Sequence, residues 1–258
     1  MLNEMKPLVD SHAHLCDPAF DADIVGVLER ALRGGVSTIV AVGENLADAE
    51  KNLLLAAKHS MIRPAAGLYP TYLDLDAAKQ MGIFIRSQRD KFVAIGEVGL
   101  DYWVVNDESE REIQREIFRG FIELSKELAL PLNVHSRSAG RHTVGILLES
   151  AADKVQLHAF DGKVSAAMPA VEAGFYFLIP PSIIRSEQKQ KLAKALPLSC
   201  LLIETDSPVL GPAPQERNEP VNATVALKMI AELKRITVDE AAEAVVENTR
   251  RLYGDAIS

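Results

Sequence analysis

The sequence predicts an α/β fold and, within that class, a closed (β/α)8 barrel of the TIM type that spans residues 1–258 as a single domain. Short apolar or β-branched runs recur along the chain, and longer segments with helical periodicity separate them. This alternation predicts parallel strands that are joined by crossover helices. Eight strand–helix units in 258 residues match a barrel, which typically takes about 250 residues. A doubly wound open sheet is the competing architecture.

The predicted strands and helices follow from local patterns. The eight strands are the apolar runs at residues 8–12, 36–42, 62–68, 92–98, 132–135, 155–158, 175–179 and 201–205. After the first strand, Gly34 and Gly35 predict the end of a helix, because glycine is favoured just past the last helical turn. After the fourth strand, an apolar stripe at helical spacing predicts another helix; it consists of Ile113, Ile117, Phe121, Leu124 and Leu128.

The end of the chain is predicted as one long loop and a final helix. The Pro-rich segment 207–220 follows strand eight and has no helical or strand periodicity. Thr237 and Glu240 then have the spacing of a capping box, which predicts a helix over 238–251.

The chain is acidic, with 28 Lys and Arg against 36 Asp and Glu and a net charge of −8. This charge argues against a protein that coats nucleic acid through its overall field. It leaves open an enzyme whose bound cations reverse the field locally. With two cysteines, no visible signal peptide and no long apolar run, we expect a cytoplasmic monomer without membrane contact or an obligate protein partner.

Potential metal ligands stand at the ends of five predicted strands. In a barrel of this type, catalytic residues collect at the carboxyl ends of the strands. The ligands are His12 and His14 after strand one, Glu97 at strand four, His135 at strand five, His158 at strand six and Asp206 after strand eight. His12 and His14 are two residues apart, so on an extended chain both point to the same face.

Each of these residues has an alternative interpretation. A lone H-x-H pair is more often a satisfied polar pair than a metal site. Glu97 could form a salt bridge with Arg137, Asp206 could cap the turn before Pro208, and the later histidines could make structural hydrogen bonds. Each alternative explains one residue, but six such coincidences at the same end of the barrel are much less expected than one metal site.

Six ligands exceed the needs of one zinc ion, which usually takes about four protein ligands. Two divalent ions that share a carboxylate would use all six. Such a pair polarises an electrophile and lowers the pKa of a water molecule. Asp206 could accept the proton of that water as a general base.

Six stretches of the chain resemble the TatD family of metal-dependent deoxyribonucleases, in the amidohydrolase superfamily. They are DSHAHL (10–15), AIGEVGLDY (94–102), LPLNVHSR (130–137), LHAFDG (157–162), LIETDSP (202–208) and RNEP (217–220). They span nearly the whole chain in the family's order. The variants HSRSAGR (135–141), HAFDG (158–162) and IPPSIIRS (179–186) resemble the TatD-domain-3 subgroup.

The resemblance implies a TIM-like barrel that cleaves DNA ends, often in the 3′ to 5′ direction, with two divalent ions. It implies that one ion binds His12, His14, Glu97 and Asp206. The second ion would bind Glu97, His135 and His158, with Glu97 as the bridge and with Glu97 and Asp206 as the catalytic carboxylates. The ligand types suit zinc or manganese, and magnesium remains open.

Four residues are candidates for binding substrate at the rim. Tyr69 stands where many family members have His, and Ser138 stands where many have Asp, so rim contacts can differ here. Arg137 could clamp a phosphate bidentately or form a structural ion pair. Arg217 and Asn218 could contact substrate or hold the loop after strand eight. Beside these four, Trp103 and Tyr102 follow the fourth strand and could stack on a base, but core or loop packing is the more common role for such residues.

Three functions are compatible with the sequence. The first is a metal-dependent hydrolase that cleaves DNA phosphodiester bonds, with DNA ends or single-stranded DNA as its substrate. The second is an amidohydrolase-type enzyme that acts on a small amide, lactone or other ester, because fold does not fix function. The third is a metal-binding protein without turnover. Many binuclear amidohydrolases bridge their metals with a modified Lys, whereas Glu97 occupies that place here, which favours the first function over the second.

Overall fold

A computed structural model describes residues 7–257 as an eight-stranded parallel barrel, which confirms the predicted fold. The strands pair in sequence order. This order excludes the doubly wound alternative, in which the strand order reverses along the sheet. The strands are β1 (Leu8–Ala13), β2 (Val36–Ala41), β3 (Ile62–Ala66), β4 (Ala94–Gly99), β5 (Leu132–His135), β6 (Val155–Leu157), β7 (Tyr176–Ile179) and β8 (Leu201–Ile203).

Nine α-helices of the described chain surround the barrel, one after each of the first seven strands and two after the last. They are α1 (Ile24–Arg33), α2 (Leu46–Lys58), α3 (Leu75–Ser87), α4 (Glu108–Leu128), α5 (Gly140–Glu149), α6 (Val164–Glu172), α7 (Glu187–Ala195), α8 (Ala223–Lys234) and α9 (Val238–Tyr253). None of the helices between residues 7 and 257 has the length and apolar character that a membrane span requires.

Local sequence signals determine where several elements begin and end. The capping box of Thr237 and Glu240 is confirmed, although α9 continues to Tyr253. Gly34 caps the end of α1, as expected. The predicted fourth strand begins two residues too early, because a short 3-10 helix over Arg89–Lys91 precedes it and the amide of Phe92 donates to Arg89.

The predicted stripe of α4 packs against the core. Ile117, Phe121 and Leu124 are buried, and Ile113 and Leu128 pack against them. The segment 207–219 after β8 has no helix or strand, as its proline content predicts.

The buried carboxylate of Asp10 joins the first and last strands of the barrel. Its Oδ1 accepts the amide of Thr205 at 2.8 Å, and its Oδ2 accepts the Thr205 hydroxyl at 2.5 Å. The amide of Asp206 donates to the carbonyl of His12 at 2.9 Å. These bonds hold the segment after β8 against the end of β1, where two of the predicted ligands lie.

Candidate metal centre

The structure brings all six predicted metal ligands together at the carboxyl end of the barrel. His12 lies in β1, Glu97 in β4 and His135 at the end of β5. His14, His158 and Asp206 lie just after the ends of β1, β6 and β8. Parallel strands present their carboxyl ends at the same edge, so residues that are far apart in sequence converge there.

Two glycines of β4 allow the close approach that places Glu97 beside His135. A Cβ on Gly96 would lie 2.6 Å from the Cβ of Asn133 in β5. A Cβ on Gly99 would lie 2.1 Å from the carbonyl oxygen of His135, and Gly99 has a positive φ of 142°. Any larger residue at either position would push β4 and β5 apart.

The carboxylate of Glu97 lies between two pairs of histidines. Its Oε2 is 3.4 Å from Nε2 of His14 and 3.8 Å from Nε2 of His12. Its Oε1 is 2.6 Å from Nδ1 of His135 and 3.9 Å from Nε2 of His158. Each oxygen therefore has its own histidine pair, which is the arrangement a bridging carboxylate needs.

Asp206 faces three of the same histidines from the other side. Its Oδ1 is 3.4 Å from Nε2 of His12 and 3.5 Å from Nε2 of His14. Its Oδ2 is 3.7 Å from Nε2 of His158. The backbone of Asp206 has a φ of 55°, a left-handed conformation that costs energy in residues other than glycine.

Buried partners that we did not single out from the sequence orient two of the histidines. The Nδ1 of His12 donates to Oδ1 of Asn133 at 2.9 Å, because an amide oxygen only accepts. The Nδ1 of His158 is 2.7 Å from Oε2 of Glu204, whose Oε1 accepts the amide of Ala159. In both histidines these contacts leave Nε2 to face the cluster, which is how outer partners orient metal-ligating imidazoles.

Replacement of Glu204 by glutamine is expected to weaken metal binding by about 10- to 100-fold. Glutamine preserves the size of the side chain and can still accept the amide of Ala159, but it removes the negative charge beside His158. Metal dissociation constants measured by competition with a chromophoric chelator test this. The control is Glu219→Gln, whose carboxylate pairs with Arg30 and Arg217 and has no contact with the cluster. Equal affinities in the two variants would contradict the orienting role.

The chemistry of the buried cluster fits divalent cations. Glu97 is only 1% exposed, and Glu204 and Asp206 are also buried. Within residues 7–257, none of the three has a Lys or Arg within ion-pair distance. The alternative salt bridge between Glu97 and Arg137 is therefore absent. Buried carboxylates that face imidazoles, with no Lys or Arg partner, are well suited to bind metal.

The charges of the cluster shift the pKa values of its members. Burial opposes the charged form of His135, but Glu97 and Asp101 outweigh it and raise the pKa of His135 to about 9. Burial likewise opposes ionisation of Glu97, yet the histidines, His135 first, hold its pKa well below the usual range. Burial also opposes ionisation of Asp206, but nearby histidines, with His158 as the largest of the lowering influences, hold its pKa below the usual range. Without metal, the cluster therefore favours the protonated forms of His14, His135 and His158 and the ionised forms of Glu97 and Asp206.

Metal binding is expected to release protons at neutral pH. An imidazole must be neutral to bind a cation, and a raised pKa keeps His135 protonated below about pH 9. The apparent metal affinity should therefore rise with pH up to that value. Calorimetric titrations in two buffers of different ionisation enthalpy measure the number of protons released. Binding heats that are the same in both buffers, with affinity independent of pH, would contradict this prediction.

A cavity of about 440 Å³ opens over the cluster and makes it accessible. His135, His158 and Asp206 form part of its lining, together with Tyr69 and Arg137. The volume is in the range of small-ligand pockets. A larger cavity of about 760 Å³ is lined by residues at the starts of β1 and β2, far from the six ligands.

Of the predicted rim residues, Tyr69 packs beside the cluster and Arg137 lies beside Trp103. The Tyr69 ring packs edge-on against His135, and its hydroxyl donates to Asp101 over 3.4 Å. Asp101 is fully buried, and its Oδ2 is also 3.2 Å from Nε2 of His135. The Arg137 guanidinium lies 5.1 Å from the centre of the Trp103 ring, which is 64% exposed. Trp103 is therefore an exposed residue beside Arg137, which lines the cavity, and is not part of the core.

Arg217 and Asn218 are both engaged in holding the loop after β8. Arg217 pairs with Asp23 at 2.7 Å and with Glu219 at 2.9 Å. Asn218 is buried and donates to the carbonyls of Thr205 and Val209. These contacts favour the loop-holding interpretation of the two residues. Neither residue lines the cavity over the cluster.

Comparisons with known proteins give a consistent assignment. A family model described as TatD related DNase matches residues 9–254. The protein named deoxyribonuclease TATDN3 from Homo sapiens is 45% identical over 95% of this chain and 94% of its own. An uncharacterized metal-dependent hydrolase from Bacillus subtilis, YabD, is 36% identical over 95% and 98%. The crystal structure of YjjV, a TatD homologue from Escherichia coli K12, superposes with a TM-score of 0.89 at 28% identity, over 96% of this chain and 98% of that one.

Proposed function

This chain is a metal-dependent hydrolase of the TatD-related DNase family, and from that membership we propose that it is a deoxyribonuclease that removes nucleotides from the 3′ ends of DNA. The observation that carries the proposal is the Glu97 carboxylate between two histidine pairs, beneath an open cavity. The name of the Homo sapiens relative supports DNA as the substrate.

We propose that two divalent ions occupy the centre, held by His12, His14, His135 and His158 with Glu97 and Asp206. When bound, the ions supply Lewis-acid charge and a more acidic water molecule. Glu97 would be shared by both ions, because each of its oxygens faces a different histidine pair. Zinc, manganese and magnesium are the candidate metals.

The protein's own groups would then position the substrate and move the proton. The Asp206 carboxylate borders the cavity and is ionised, so an Oδ atom could accept a proton from a water molecule there. The cavity suits one nucleotide at a strand end better than a duplex. Trp103 and Arg137 at the rim offer a stacking surface for the next base.

The exonuclease assignment is tested with two single-stranded DNA substrates of the same sequence, one linear and one circularised. We expect stepwise loss of nucleotides from the 3′ end of the linear strand and little cleavage of the circle. Equal cleavage of both substrates would mean that the enzyme is an endonuclease, because a circle has no end to cleave from. Cleavage of neither, in protein that holds its metal, would favour the small-molecule hydrolase instead.

The buried, unpaired cysteines support the proposed cytoplasmic location. Cys16 and Cys200 are the two cysteines of the chain, and neither forms a disulfide. Reducing compartments keep thiols in this state.

A further inference from the structure

Lys189 is a basic residue at the cavity that neither the strand-end pattern nor the family motifs indicated. It is the third residue of α7, and it lines the cavity together with His158, Asp206 and Arg137. Its Nζ donates to the carbonyl oxygen of Ala159 at 3.0 Å. Ala159 directly follows His158, so the ammonium group lies next to the metal centre.

The ammonium group of Lys189 has N–H donors that are available to a ligand. A lysine ammonium carries three N–H donors, and the structure assigns one of them to Ala159. No carboxylate among residues 7–257 lies within ion-pair distance of this Nζ. Burial lowers the pKa of Lys189, against the attraction of Glu204 and Asp161, because the group has lost water without gaining an acidic partner. An anion that enters the cavity would supply that partner.

The position of Lys189 is fixed by its neighbours on α7. Gln188 donates to the carbonyl of Gly162 at 2.9 Å, so two consecutive residues of α7 bind the backbone after β6. Lys191, two residues further along α7, has a different environment. It is 75% exposed and pairs with Glu187 at 3.3 Å. The side chain of Lys189 is therefore fixed by a hydrogen bond in the wall of the cavity, whereas Lys191 is a surface lysine.

We propose that Lys189 binds a phosphate oxygen of the substrate and makes the site selective for phosphate esters over neutral esters and amides. This inference rests on the proposed function, which gives the substrate its phosphate. The carboxylates of Asp206 and Asp161 line the cavity, so a phosphate that enters it needs positive charge nearby. Bound metal ions would supply this charge at the cluster, and Lys189 would supply it in the wall of the cavity through a charge-assisted hydrogen bond.

Binding of inorganic phosphate to the metal-loaded protein tests the proposal without turnover. We expect Lys189→Met to raise the phosphate dissociation constant by about tenfold or more, which is the effect of losing one charged hydrogen bond. Lys189→Gln keeps an amide donor for Ala159 but no charge, and it should show the same loss. The control Lys191→Met, on the same helix, should bind phosphate like the wild type. All four proteins should hold the same amount of metal.

The outcomes separate this inference from the proposed function. If both Lys189 variants bind phosphate as tightly as Lys191→Met, the role of Lys189 is refuted, whatever the activity on DNA. If they lose phosphate binding while the wild type cleaves no DNA, Lys189 is a phosphate ligand and the deoxyribonuclease proposal fails. With an active wild type, kcat/KM on a single-stranded oligonucleotide should fall by a similar factor in the Lys189 variants only.

Discussion

Replacement of Glu97 by alanine is expected to lower hydrolytic activity by at least about a thousandfold, since metal ions contribute several kcal/mol to such reactions. The variant loses the carboxylate that faces both histidine pairs, so metal content should fall as well. Glu97→Gln keeps the size of the side chain and should show the same loss. Metal content by atomic emission and activity at saturating metal are measured on the same samples.

The matched control for Glu97 is Glu127→Ala. Glu127 is also a paired carboxylate, but its partner is Arg86 on the surface, at 2.6 Å. Its removal should leave both metal content and activity unchanged, because an exposed ion pair contributes little. Full metal content and near-normal activity in Glu97→Ala would contradict the bridging role.

Replacement of Asp206 by asparagine is expected to lower kcat by about 10²- to 10⁴-fold, the usual contribution of a general base. Asparagine retains an oxygen toward His12 and His14, so at saturating metal the variant should still bind its ions. KM should change little, because the lost group acts on the attacking water rather than on substrate binding. An unchanged kcat would mean that another group accepts the proton.

The barrel and its six candidate ligands could be predicted because both depend on local patterns. Apolar runs locate strands, and a polar residue at the end of a run falls at the carboxyl end of the barrel. His135 ends β5, and His158 lies one residue past β6, which is within the error of any strand boundary. Glu97 was conspicuous because a charged residue stands inside a buried strand between two glycines.

The residues that orient or supplement the cluster could not be predicted in the same way. Glu204 stands beside Asp206 in the sequence, but its contact with His158 depends on how β6 and β8 sit around the barrel. Asp101 reaches His135 only after β4 has ended and the chain has turned. Lys189 lies in the first turn of α7, where a lysine is ordinarily exposed to solvent, and its contact with Ala159 depends on the fold.

The loop after β8 also shows that local sequence patterns do not reveal long-range contacts. Arg217 is basic and close in sequence to Asp206, which suggested a contact with substrate. Its actual partner Asp23 is nearly two hundred positions away, and no local pattern links the two. Long-range ion pairs of this kind become visible only when the fold brings the first and last parts of the chain together.

In the proposed function, this barrel hydrolyses DNA with metal held at Glu97 and its histidines. The most direct test is to strip the wild-type protein with a chelator, then add back magnesium, manganese or zinc with a single-stranded oligonucleotide labelled at its 3′ end. We predict no release of label from the stripped protein and restored release with at least one metal. Release that persists after complete metal removal, or no release with any metal in a protein that binds two ions, would contradict the claim.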